Sequence, residues 1–223
     1  MKKVKKKLSI DWKSKSIDLL IVIIGITTAF QLNNLNESNK SKAHEKDYLK
    51  SFYVENRDNE ANLIAALKFS ESNKNDIDTL KYILLSKNYA DKRIKILTAS
   101  MMGVANYTPS ITTMENVTAS GEFELIEDIE LRKQIILTYN TYNVTLKLES
   151  LLSDYINKYV TPFLFENIRF SNLSPINSTF IKDPLFENIV IGYEVLLTQQ
   201  IKGYQDNLEK IKLLNNKLTT ANK

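Results

Sequence analysis

Eighteen consecutive residues, from Leu19 to Asn36, carry no charge. Within them lies Leu19-Leu-Ile-Val-Ile-Ile-Gly-Ile-Thr-Thr-Ala-Phe30, broken only by two hydroxyls. At about 1.5 Å per residue the uncharged stretch makes a helix of about 27 Å. A hydrocarbon core of about 30 Å takes roughly 17–25 residues, so the stretch stands at the short end of spanning length. Leu19, Leu20, Ile21, Val22, Ile23, Ile24, Gly25, Ile26, Ala29 and Phe30 are the expected membrane anchor. Trp12 is placed to sit at headgroup level. Lys13 and Lys15 can run their stems along the apolar surface and keep their charges in water. Thr27 and Thr28 can return their hydroxyls to carbonyls of the preceding turn.

The charge distribution sharpens this reading. The chain has 223 residues and a formal charge of +4. Residues 1–16 hold seven Lys and one Asp, a local +6, so the rest sums to −2. A basic flank stays on the cytoplasmic side, which would place the body outside the cytoplasm. A cleaved signal peptide shares the pattern of basic start and apolar run, with Thr27-Thr28-Ala29 as a weak cleavage site. A basic region of sixteen residues is long for a signal, however. A buried core helix would need no Lys-rich preface. The anchor is therefore the favoured reading.

Composition removes several function classes. There is no Cys, so disulfide scaffolds and thiolate metal sites are excluded. Only four of the thirty basic residues are Arg (Arg57, Arg93, Arg132, Arg169), and the body has no basic excess. That argues against nucleic acid as a partner. No Gly-rich phosphate loop, His-Glu-x-x-His helix, EF-hand loop or Gly-x-Ser-x-Gly elbow occurs. His44, between Lys42 and Glu45, reads as a solvated surface residue. Glu122, Glu124, Glu127, Asp128 and Glu130 form an acidic cluster better suited to a helix start than to a cation. No cofactor or metal is expected, and no catalytic constellation is present.

The body reads as helical. No Pro or Gly other than Gly25 occurs from residue 18 to 102. Apolar residues recur at helical spacing over 33–72, 75–85, 91–102, 129–159 and 184–218. Thr112 or Thr113 could cap a short helix with Glu115 in a capping box, ended by a left-handed Gly121. Pro162 is expected to close the fourth helix and Asp183-Pro184 to open the last. Residues 161–184 read as irregular and hold Phe163, Phe165, Phe170 and Phe180, a candidate partner surface, since long connections often carry function. The eleven tyrosines read as core, with a hydroxyl-lined pocket as the alternative. The expected architecture is all-α: a basic tail (1–16), a transmembrane helix (17–36), a stalk (37–47) and an antiparallel helical bundle (48–223).

Ile17 to Glu37 and Thr113 to Arg132 resemble one family. The first stretch has an acidic residue, an apolar run with one Gly, then Gln31-Leu-Asn-Asn-Leu-Asn-Glu37. The second contains Ser120-Gly-Glu-Phe-Glu-Leu-Ile126. Both resemble the domain of unknown function 6090 family of bacterial proteins. Asp18 stands where that family usually has Glu, and Leu35 where it usually has Trp. The resemblance implies one N-terminal membrane helix and a helical body, and brings no activity. The expected role is non-enzymatic interaction or scaffolding in the cell envelope, with the bilayer and a protein partner or second copy as contacts. Gly25-xxx-Ala29 is a weak helix-pairing signal. The alternative is a ligand-sensing input domain working through a partner membrane protein.

Overall fold

A computed structural model describes residues 12–221, with side chains from Lys15 onward. The chain is all-α apart from one two-residue ladder. Its elements are α1 (Trp12–Leu85), α2 (Ile94–Ser100), α3 (Thr112–Ser120), α4 (Ile129–Tyr155), α5 (Thr161–Asn167), β1 (Ile168–Arg169), β2 (Ser174–Pro175) and α6 (Pro184–Ala221). The chain divides into two compact units, Met1–Asp47 and Tyr48–Lys223. In the first, every large apolar side chain from Ile17 to Leu35 is more than half exposed.

The second unit is built on three seams. On α1 the buried positions Leu49, Phe52, Asn56, Asn59, Leu63, Ala66, Ser70, Asn73, Ile77, Leu80 and Leu84 alternate steps of three and four. Leu131, Ile135, Thr138, Tyr142, Thr145, Glu149, Leu152 and Ile156 do the same on α4 and its extension. On α6 the series begins Phe186, Val190, Tyr193, Leu197, Gln200, Tyr204 and continues through Asn207 to Leu218. Such a repeat keeps one stripe facing its neighbours and sets a small crossing angle. Apolar seam residues divide into a cluster around Ile77, Leu80 and Phe186 and another around Phe52, Tyr142 and Ile211.

Hydrogen bonds fix the directions. Asn56 Nδ2 donates to Asn215 Oδ1 at 3.0 Å, and Asn73 Nδ2 to Tyr193 Oη at 2.7 Å, so α1 and α6 are antiparallel. Asn207 Nδ2 donates to Thr145 Oγ1 at 3.0 Å, and Tyr155 Oη to Ile189 O at 3.1 Å, so α4 and α6 are antiparallel too. α1 and α4 therefore run the same way, and something must carry the chain back between them. Residues 103–111, without regular secondary structure, do so. The strap pairs Gly103 with Asn73 and Ser110 with Asn59. An extended chain advances about 3.3 Å per residue against about 1.5 Å in a helix, so this short strap retraces several turns of α1. The expected antiparallel bundle thus has one of its passes made by extended chain.

Local structure departs from expectation at four places. The expected break between residues 72 and 75 is absent and α1 is continuous, because Asn73 spends its amide on Gly103 O and Tyr193 rather than on a cap. The helix expected over 91–102 shortens to Ile94–Ser100, while Asp91 accepts from the Arg93 amide at 2.9 Å. Neither Thr112 nor Thr113 caps α3. Glu55 of α1 does so from a distance, accepting from the Thr113 amide at 2.9 Å. Pro162 does not close the fourth helix. A π-helical turn at Ile156–Val160 widens the backbone ahead of it, and α5 continues with Pro162 in its first turn. Gly121 is left-handed at φ 71° and Asp183 accepts from the Leu185 amide of α6, as expected; within the acidic cluster it is Asp128 that caps α4, accepting from the Glu130 and Leu131 amides.

Candidate functional site

The strap has no ladder or helix of its own, so its buried peptide groups need partners from elsewhere. They come from all three long helices. Gly103 O accepts from Asn73 Nδ2 at 3.2 Å and Tyr193 Oη at 3.0 Å. The Tyr107 amide donates to Glu149 Oε1 at 2.9 Å, and the Tyr204 hydroxyl donates to the same oxygen. Asn59 makes a two-point pair with Ser110, donating to its carbonyl and accepting from its amide, each at 2.8 Å. Glu55 accepts from the Tyr139 hydroxyl and, through its other oxygen, from Ser110 Oγ at 2.9 Å.

Four aromatic rings fill the space beneath. Tyr107 meets Tyr142 and Tyr204 edge-on, with centroids 6.1 and 6.4 Å apart, and Tyr139 leans on Tyr142 at 5.1 Å. Tyr142 Oη donates to Asn56 Oδ1 at 2.7 Å. Burial pushes the hydroxyls of Tyr107, Tyr139, Tyr142 and Tyr204 well above their ordinary range and that of Tyr193 up to about 12. They stay protonated, the opposite of what an activated tyrosine nucleophile requires. Burial also raises the Glu149 carboxyl, against the hydrogen bonds from Tyr204 and the Tyr107 amide that favour its anion. This layer holds the strap against the three long helices. Among the described residues no cluster of three or more His, Cys, Asp or Glu is arranged to hold a metal. A groove of about 450 Å³ opens beside it between α3 and α4, over Met114, Ala119, Ile136 and Tyr139.

The candidate residues read from sequence fall in different places. The ten anchor positions from Leu19 to Phe30 lie on one fully exposed stretch of helix, and nothing approaches within 4 Å of a Cβ built on Gly25. Lys15 is exposed, while the Trp12 and Lys13 side chains lie outside the described residues. His44 is exposed. The four phenylalanines do not form one partner surface. Phe163 and Phe180 are buried with Phe186, whose ring stacks on Phe163 at 5.4 Å, whereas Phe165 and Phe170 are exposed and pair with each other at 4.7 Å. Packing of α5 and α6 on the Ile77–Leu84 end of α1 draws the first two inward. Glu55, Asn56, Asn59, Asn73 and Glu149 were not singled out from sequence. For Asn56, Asn59, Asn73 and Glu149 the signal is a three-four repeat that continues through polar residues; Glu55 lies outside that repeat.

No curated protein and no solved structure matches the chain. The family of unknown function DUF6090 matches residues 18–178, which takes in the uncharged run, the strap and α4. The chain belongs to that family.

Proposed function

We propose that this is a single-pass membrane protein whose helical unit works outside the cytoplasm as a non-enzymatic interaction or scaffold module. The observation that carries the reading is the apolar stretch of α1. It is long and apolar enough to cross a membrane, and none of it is buried. An exposed apolar run of this size calls for a cover, and a bilayer supplies one of matching thickness. The basic residues before it favour a cytoplasmic N-terminus. The helical unit contributes a filled core and buried hydrogen bonds, which suit a rigid holder of partners.

The absence of cysteine makes the test clean. Ser9→Cys and Ser171→Cys are expressed separately and treated in intact cells with a membrane-impermeant maleimide. Labelling of Ser171→Cys alone is the expected outcome. Labelling of Ser9→Cys alone would reverse the orientation, and recovery of unmembraned protein would remove the anchor. A partner, or a second copy of the chain, is then sought by crosslinking in the same membranes.

A further inference from the structure

One side of α1 in the first unit is polar where a membrane span should be apolar. Leu20, Ile24, Thr27, Gln31, Asn34 and Ser38 follow one another at steps of four and three, so they share one side of the helix, and all six are exposed. The same spacing on α1 of the second unit marks the side buried against its neighbours. Length decides how deep the polar members lie. The uncharged run supplies about 27 Å of helix for a hydrocarbon core of about 30 Å, so there is no slack. Sliding the helix to lift Gln31 into the headgroups would draw Asp18 and Lys15 into the apolar layer. Gln31 therefore lies about 7–8 Å inside the boundary at Asn36, and Thr27 lies near the middle. A threonine hydroxyl can bond to a carbonyl of its own helix. A carboxamide has two donors and an acceptor to satisfy, and lipid tails offer it nothing.

We infer that this side of the span pairs in parallel with the same side of a second copy of the chain, with Gln31 and Asn34 setting the register. Copies inserted with one orientation run parallel, and in a parallel pair with this spacing each seam residue meets its own counterpart. A carboxamide is self-complementary, since its donors fit the acceptor of an identical group. Polar side chains bond across paired membrane helices in this way, and a polar residue in such a seam fixes register. Gly25 and Ala29, the small pair, lie on the opposite side of the helix, so pairing through them would leave Gln31 facing lipid. The inference rests on the membrane span proposed above and deepens that reading by naming the partner.

The full chain has no Cys, so it takes single cysteines one at a time and is oxidised with copper phenanthroline in native membranes. Leu20→Cys, Ile24→Cys, Thr27→Cys and Ser38→Cys are expected to give a disulfide-linked dimer. Val22→Cys, Gly25→Cys and Ala29→Cys, on the other side, are expected to give little. Adding Gln31→Leu and Asn34→Leu to Ile24→Cys is expected to lower the dimer yield about tenfold, the scale of two hydrogen bonds between membrane helices. Those leucines make the span more apolar, so they remove the pairing groups without weakening insertion. A carbonate wash of each membrane sample reads the span separately. Chain that resists the wash but links best through Gly25→Cys and Ala29→Cys, shows no preferred side, or links to another protein instead of itself would overturn the pairing and leave the span standing. An undiminished yield in the leucine variant would overturn the role of the carboxamides. Chain released by the wash would overturn the span and the pairing together.

Discussion

Gly192 of α6 lies against the ring of Tyr155: a Cβ on Gly192 would stand 2.8 Å from Cζ and 3.2 Å from Cε2 of that ring. The same ring donates its hydroxyl to Ile189 O, one turn earlier in α6. Gly203 also faces α4, but there a Cβ would meet only the tip of Leu148. The two glycines thus differ in what must yield. Alanine in a helix gains about 0.5–1 kcal/mol over glycine. For Gly203→Ala the Leu148 tip swings aside, and the net change is expected near zero or slightly stabilising. Gly192→Ala must displace a whole ring and lose a hydrogen bond, a cost of about 1–3 kcal/mol. Thermal unfolding of both variants checks this. A second substitution, Tyr155→Leu, should recover much of the Gly192→Ala loss, and if it does not the close approach is not the cause.

The pH dependence of Glu149 has a defined sign. Its carboxyl is raised by burial, so the folded state holds that proton more tightly than the unfolded chain does. Its contribution favours folding below the ordinary Glu value of about 4.3 and is lost as pH rises through the raised value. Gln at 149 keeps an acceptor for the Tyr204 hydroxyl and the Tyr107 amide and has no charge to bury. Glu149→Gln is therefore expected to be more stable than the parent at pH 7.5, by an amount on the order of 1 kcal/mol, with the gap closing towards pH 4. Urea unfolding at several pH values reads this directly. A variant less stable at pH 7.5 would show that the charged hydrogen bonds outweigh desolvation.

How much of this was readable beforehand depends on which signal carried it. The apolar run and its Lys flank are local, and so are the Asp183 cap and the Gly121 stop, so each could be read from adjacent residues. Helix boundaries failed where a tertiary partner took over a local group. Asn73 looks like a breaker until Gly103 and Tyr193 engage it. Thr112 looks like a cap until Glu55, far away in sequence, takes the role. Pro162 looks like a stop until the π turn makes room. The polar layer is hard to see in the sequence because most of its α1 members occupy repeat positions that apolar residues usually fill. Counting Asn56, Asn59, Ser70 and Asn73 as seam residues extends one repeat from Leu49 to Leu84. Nothing local marks 103–111 as a strap, since its backbone partners lie on α1, α4 and α6.

The two-point pair between Asn59 and Ser110 predicts where the strap lifts first. Asn59→Ala leaves the part-buried Ser110 amide and carbonyl without their protein partner, at about 1–3 kcal/mol each in full burial and less where water reaches them. The expected loss is about 2 kcal/mol, with faster amide exchange across 103–111 than in α4 or α6. Asn59→Asp keeps an acceptor for the Ser110 amide but sets an oxygen against its carbonyl and buries a charge, and should cost at least as much as Asn59→Ala. Uniform acceleration of exchange through the whole unit would mean that the strap does not open separately.

Tyr107 and Tyr142 pack edge to face, yet their hydroxyls stand differently. Tyr142 Oη donates to Asn56, whose own amide is committed to Ile211 O and Asn215. Tyr107 Oη is fully buried and has no hydrogen-bond partner among the described residues. Tyr142→Phe therefore strands the Asn56 oxygen and should cost about 1–2 kcal/mol. Tyr107→Phe removes an unpaired polar atom and should be neutral or stabilising by up to about 1 kcal/mol. Alkali separates the buried layer as a whole. Folded-state values raised by burial mean that the stability these tyrosines contribute is intact below about pH 10 and lost as pH rises above it, because the unfolded chain ionises first. The part of the tyrosinate absorbance that these buried hydroxyls contribute should then rise in step with loss of helix, not before it. Ionisation of the full tyrosine complement with the helical signal intact would mean that the hydroxyls of Tyr107, Tyr139, Tyr142 and Tyr204 reach solvent in the folded state.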